Sequence, residues 1–182
     1  MAEPAVHELL KMDPGVEVAW RAFELRPEPV PTLDPGGEYL QRAWTNSVYP
    51  LAARLGRPMK LPPVQPRSRL AHEAAQWSRQ HGRFDDYNAG IFRAFFERGE
   101  DIGDIGVLTR VATGLGLNGD ALRDALETGA LAQSVLEDER EAARLGVSAV
   151  PAFVADRRAV LSGVQSQQAL QQLVEHVRGT SG

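Results

Sequence analysis

The chemistry open to this chain of 182 residues is set by what it lacks as much as by what it carries: four histidines and no cysteine. Without cysteine there is no disulfide, no thiolate metal site and no sulfur nucleophile, and thiol–disulfide exchange by the chain itself is closed, because the attacking species is a thiolate. His7, His72, His81 and His176 are scattered over the predicted helices, and no two are paired at i, i+4 as in a zinc-binding helix; no metal site is expected. Ser68 and Arg69, just before His72, have the donors to hold an anionic group such as a carboxylate. The plainer reading makes Ser68 and Arg69 a helix start with an exposed arginine, and His72 a surface or capping residue.

Three further patterns have structural explanations. Gly114, Gly116 and Gly119 match G-x-G-x-x-G, but they follow a predicted helix rather than a strand, so they serve as helix stop and turn, not as a pyrophosphate cradle. Glu137, Asp138, Glu139 and Glu141 alternate with Arg140 and Arg144 at helical spacing, which reads as a solvated face with local ion pairs. Phe92, Phe95 and Phe96 make a wide apolar stripe, read as core packing ahead of an apolar peptide groove.

The elements that must position these residues come next. Hydrophobic residues at 43% supply a core and charged residues at 24% a surface, so one compact domain, or a small domain with an insertion, is expected. The net charge of −4, with no basic block, argues against a nucleic-acid surface. No apolar run reaches the roughly 20 residues of a membrane span, and the acidic start MAEPAVHELLKMD lacks the apolar region of a secretory signal; a cytoplasmic protein is expected. Residues 2–12 predict a helix and 16–25 a strand. Four prolines between Pro27 and Pro35 predict an extended linker. Helices follow over about 37–55, from Ser68 on, over 87–98, over 105–115 with Asp104 as N-cap, from Asn118 or Asp120 to about 127, and over 130–145 with Gly146 as the stop. The stretch GVSAVPAFVADRRAVLSGVQSQQALQQLVEHV, 146–177, then reads as a hairpin, 152–155 against 159–164, and a closing helix capped by Ser166.

GVSAVPAFV, LSGVQS and the closing helix resemble the C-terminal half of the thioredoxin fold in the DsbA family, most closely its FrnE branch. VEVAWRAFELRPE, the PxSRxAH motif of Pro66–His72, FRAFFERGEDI of Phe92–Ile102 and the pattern of Val107–Leu117 extend the resemblance over nearly the whole chain. The resemblance implies an α/β, thioredoxin-like fold of DsbA type: residues 1–26 and 146–182 form the thioredoxin-like domain and 27–145 an inserted all-helical domain. It implies a cis Val150–Pro151 bond, with the N–H and C=O of Val150 holding an extended substrate as an added strand. The expected partner is a thiol or disulfide peptide or a small-molecule thiol. No cofactor is expected, with glutathione as one candidate substrate.

The family's first strand and its CxxC motif precede the first helix, where this sequence has nothing; no catalytic residue is expected in this chain. In the family that strand lies between the strand after the first helix and the one after the cis proline. Buried edges left unpaired there would cost on the order of 1–3 kcal/mol per group, against roughly 5–15 kcal/mol of net stability. The edges close up, a second chain pairs with them as in a homodimer, or the natural protein is longer by roughly a dozen residues or more; the last is the expectation. Two alternatives stand beside an oxidoreductase that is redox-inactive as written. One is a glutathione-dependent relative, of the hydroxychromene-carboxylate isomerase or kappa-class transferase group. The other is a non-catalytic peptide-binding or assembly module.

Overall fold

The computed structural model describes residues 1–180. They form two units, Met1–Leu25 together with the chain from Asp138 onward, and Arg26–Glu137. The second boundary lies at Asp138, inside helix α8 (Ala132–Arg144), eight residues before the glycine where the sequence places it. The cause is a side chain: Asp138 is bonded to the segment at Arg21 and Ala22, so the last turns of α8 belong with the first unit.

The first unit is two helices against a hairpin. Helix α1 (Glu3–Met12) has Pro4 in its first turn, where the missing N–H is harmless, and it buries Val6 and Leu9. Helix α9 (Gln167–Gly179) starts at Ser166, whose Oγ accepts from the Ala169 N–H at 3.1 Å, and it buries Leu170 and Val177. Val6, Leu9 and Leu170 form the core, joined by Val16, Trp20, Phe153 and Val174. Strands β1 (Ala152–Ala155) and β2 (Ala159–Ser162) pair antiparallel, with Phe153 opposite Leu161 and Val154 opposite Val160. Their turn is closed by the Arg158 N–H donating to Ala155 O at 2.9 Å, with Asp156 and Arg157 both at positive φ, 48° and 57°, the type I′ form that matches strand twist. The Val150–Pro151 bond before β1 is cis, as is Glu28–Pro29 in the other unit.

Residues 16–25, expected as a strand, form none. The sheet of the described residues has only β1 and β2, and a strand exists only through the ladder it shares with a neighbour. One buried donor of this segment is satisfied otherwise, the Ala22 N–H giving its bond to Asp138. β2 also ends two residues short of the expected Val164, because Gly163 turns to a φ of +83°.

The second unit is helical. Helix α2 (Glu38–Ala43) runs through a wide π turn, Trp44–Val48, into α3 (Tyr49–Arg54). Helix α4 (Arg69–Gln80) is followed by α5 (Phe84–Phe92), which continues through a second π turn, Arg93–Glu97. Helix α6 (Ile105–Gly114) is capped by Asp104, accepting from Gly106 and Val107 N–H, and α7 (Gly119–Glu127) by Asn118, accepting from Asp120 and Ala121 N–H. Gly116, read as turn punctuation, has φ +77° between them.

The stripe Phe92, Phe95 and Phe96 is not the buried face of its helix. Phe92 is exposed and the other two half-buried, while Tyr87, Gly90, Ile91 and Ala94 are buried. The π turn explains the shift: with Arg98 N–H reaching back five residues to Arg93 O at 3.1 Å, the helix is wound wider there and its faces drift from the 3.6-residue phase. The rings pack on one another instead, Phe96 meeting Phe95, Phe92 and Trp44 at 4.9, 6.1 and 6.1 Å between centroids.

Tyr87, fully buried, donates its hydroxyl to Leu108 O on α6 at 3.1 Å, and burial raises its pKa. Tyr87→Phe removes both partners' polar contact but keeps the ring, so chemical denaturation is expected to show a loss of about 0.5–1.5 kcal/mol, with no new ionisation in the pH range of folding.

Candidate functional site

The hairpin positions the residues expected to bind substrate. Gly163 N–H donates to Pro151 O at 2.8 Å, extending the β1–β2 register by one pair and fixing Pro151 at the start of β1. In an antiparallel ladder, hydrogen-bonded pairs alternate with pairs whose N–H and C=O point outward. Since Pro151 belongs to a bonded pair, so do Phe153 and Ala155; Ala152 and Val154 aim their backbone groups away from β2, at the open edge of β1. Val150 precedes the cis bond and lies outside this ladder. Its N–H and C=O have no partner among the described residues, and it is 44% exposed. Ala152 and Val154 were not anticipated in this role; the alternation that assigns them needs the register, not residue type.

Ser68, Arg69 and His72 lie in the other unit, at the start of α4. Ser68 occupies the N-cap position but makes no capping bond with its side chain, because its backbone is already helical, φ −91° and ψ −1°. Its carbonyl accepts from His72 N–H at 3.0 Å. Arg69 is half-buried, not the exposed arginine of the plainer reading, and so are Ser68 and His72. No group of three metal-ligating side chains is present among the described residues. An open depression of about 440 Å³ in the second unit is lined by Pro35, Gln41, Tyr49, Leu61 and Pro62 and includes none of the expected site residues.

The acidic cluster on α8 is not a solvated face throughout. Asp138 is buried, accepting from Ala22 N–H at 2.9 Å and from Arg21 Nη1 at 3.0 Å. Three residues on, Glu141 is flanked by Arg144 at 2.6 Å and by Arg157 of the hairpin turn at 2.7 Å. Nothing local marks Asp138 among its neighbours; its partner is 116 residues away in sequence.

These pairs set an acid limit on stability. The hydrogen bond from Arg144 holds Glu141 below its ordinary 4.5, and Arg178 holds Asp13 below its ordinary 3.8. In the second unit Arg98 and Arg110 do the same for Glu100. A carboxylate depressed on folding adds stability that is complete above its unfolded pKa and is lost as pH falls through its folded pKa. Thermal melting temperature is therefore expected to be flat above about pH 5 and to fall below about pH 4, and Arg178→Ala is expected to make that fall shallower.

Among the described residues no helix is long and apolar enough to cross a membrane. Comparison with known proteins agrees with the hairpin, the helix that follows it and the helical unit. The chain is 37% identical over 147 residues to the uncharacterized protein YwbO of Bacillus subtilis, an overlap of 76% of this chain and 72% of the relative. The crystal structure of a probable DsbA oxidoreductase from Streptomyces coelicolor superposes with a TM-score of 0.80 at 25% identity, over 100% of this chain and 85% of that one. A structure from Nitrosomonas europaea, 16% identical, shares the fold at a TM-score of 0.72 over 98% of this chain and 90% of its own. The family model of the DSBA-like thioredoxin domain matches residues 1–175. A helix-rich thioredoxin fold of DsbA type, with its small two-stranded sheet and the Val150–Pro151 corner at the strand start, identifies this chain as a member of the DSBA-like thioredoxin domain family.

Proposed function

We propose that this chain is a FrnE-like member of its family that binds an extended thiol or disulfide peptide at the edge of β1 and, being without cysteine, does not itself exchange disulfides. The observation that carries the reading is Val150, exposed, with an N–H and a C=O that have no partner among the described residues. Those two groups are what an added strand requires: main-chain bonds supply affinity and neighbouring side chains supply selectivity. The absence of any thiol removes the nucleophile that exchange needs.

Two measurements test the two halves. Dithiothreitol-driven insulin reduction in the presence of the chain is expected to run at the uncatalysed rate; acceleration in proportion to the chain overturns redox inactivity. Titration of ¹⁵N-labelled protein with an extended cysteine-containing peptide is expected to shift the amide resonances of Val150 and Ala152 first. Glutathione, a short extended thiol, serves as the second titrant. Shifts confined to the Ser68–His72 segment overturn the placement of the site.

A further inference from the structure

We propose that the second unit docks an acidic polypeptide segment on the depression beside α3, with apolar side chains of the segment against Tyr49, Leu61 and Pro62 and its carboxylates on Arg54, Arg57 and Lys60. From Tyr39 to His72 the chain carries Arg42, Arg54, Arg57, Lys60, Arg67 and Arg69 and no aspartate or glutamate, in a protein whose net charge is −4. Arg42 and Arg67 face carboxylates N-terminal to that stretch, Glu38 at 3.5 Å and Glu28 at 3.3 Å. Arg54, Arg57 and Lys60 are exposed, and none has a carboxylate or a side-chain hydrogen-bond partner among the described residues. Elsewhere on the unit Arg98 and Arg110 share Glu100, and Arg123 faces Glu127. Arg54 also suits the negative end of α3, but Arg57 and Lys60 lie past the last turn, where the helix dipole no longer favours a cation.

The backbone brings these cations to the depression. Arg57 N–H donates to Ala52 O at 2.9 Å and Leu61 N–H to the Tyr49 hydroxyl at 3.2 Å. The loop 57–61 therefore doubles back along α3, and Lys60 stands next to Leu61 in the depression's wall. The Tyr49 oxygen accepts that bond, while its own hydrogen has no acceptor among the described residues; a carboxylate seated there takes it in a charge-assisted bond. Pro35, Pro62 and Pro63 in the walls have no N–H to offer, which leaves the Tyr49 hydroxyl and the cations as the donors that select the occupant. An open depression flanked by a line of cations suits an extended chain with several carboxylates, whereas a small dicarboxylate needs an enclosing pocket. Nucleic acid fits less well, since it brings a charge at every nucleotide and no aliphatic side chains for the walls. The site uses no residue of the β1 edge, so it stands or falls apart from the reading proposed for that edge.

Fluorescence anisotropy with a labelled peptide of three Glu-Glu-Pro-Leu repeats tests this. Saturable binding is expected, weakening as added salt shortens the Debye length from about 10 Å at 0.1 M to about 3 Å at 1 M. The Gln-Gln-Pro-Leu counterpart is expected to bind roughly tenfold more weakly, the sum of several exposed ion pairs. Arg57→Glu with Lys60→Glu is expected to lose a similar factor, and Tyr49→Phe about two- to tenfold, the worth of one hydrogen bond. Both charge reversals are at exposed positions and keep the test decisive if Tyr49→Phe loosens the loop. Arg123→Glu, on α7, is expected to leave the affinity unchanged. In ¹⁵N spectra the acidic peptide is expected to shift the amides of Lys60 and Leu61. Shifts at Val150 in place of these overturn the inference without touching the reading of the β1 edge. A glutamine peptide that binds equally well, binding that survives the double reversal, or no binding of the acidic peptide at all overturns it too. So does tighter binding of oligothymidylate lost on the same reversal, the mark of a nucleic-acid surface.

Discussion

Asp138→Ala is expected to lower the free energy of unfolding by about 1–3 kcal/mol, the cost of leaving the buried Ala22 N–H without an acceptor. Asp138 is 6% exposed and Ala22 5%, so water does not readily replace the lost oxygen. The partner cation matters less. Arg21 has a side chain 69% exposed and turns to solvent when its carboxylate is gone, so Arg21→Ala alone is expected to cost about 0.2–1 kcal/mol. Asp138→Asn separates the two contributions: its one carbonyl oxygen still accepts from Ala22, while its amide group faces Arg21 without a charge. It is expected to fall between wild type and alanine. Denaturant titration with an unchanged slope checks the order; an alanine variant as stable as wild type would show that the backbone bond carries nothing.

That bond bears on function, because it ties the segment 16–25, which has no ladder, to helix α8. Asp138 sits one helical turn before Glu141, which grips Arg157 in the hairpin turn. The same face of α8 thus fastens both the ladderless segment and the hairpin whose edge is proposed to bind. Loosening Asp138 is expected to reach the edge residues through this helix, and amide exchange at Val150 and Val154 would register it.

What was legible in the sequence was local. Asp104, Asn118 and Ser166 cap their helices with bonds to amides two or three residues on, and the hairpin lies where two apolar runs flank Asp156-Arg157-Arg158. Each depends on residues within a turn or two of itself. What was not legible depended on partners far along the chain. Residues 16–25 have the alternation of a strand, yet a ladder is a property of two segments. Asp138 resembles Glu137 and Glu139 in composition and differs only in the donor it meets. The Phe92–Phe96 stripe misled for a third reason, since the 3.6-residue phase used to read it does not hold across a π turn. Val150 and Pro151 entered as candidate site residues through family likeness, whereas the outward parity of Ala152 and Val154 became visible only once the bond from Gly163 to Pro151 set the register.

The helical unit offers the second large effect, at a residue chosen for having no side chain. Gly90, buried on α5, lies so close to α6 that an added Cβ would stand 2.7 Å from Val111 Cγ1. Alanine in place of a mid-helix glycine ordinarily gains about 0.8–1 kcal/mol through reduced backbone entropy, so the sign of Gly90→Ala is a contest between propensity and overlap. At 2.7 Å the methyl lies well inside the roughly 3.5–4.0 Å at which carbon atoms attract, and overpacking of this kind costs about 1–3 kcal/mol. Val111 is a β-branched residue within a helix and has essentially one allowed rotamer, so it cannot swing aside, and the overlap prevails: Gly90→Ala is expected to destabilise. Val111→Ala removes the obstructing methyl at a cost of its own. In that background Gly90→Ala is expected to turn stabilising, up to about 1 kcal/mol. The reversal of sign between the two backgrounds, read from a double-mutant cycle, is the decisive observation; a Gly90→Ala variant equally harmful with and without the Val111 side chain would place the constraint in the backbone of α5 and not in its packing against α6.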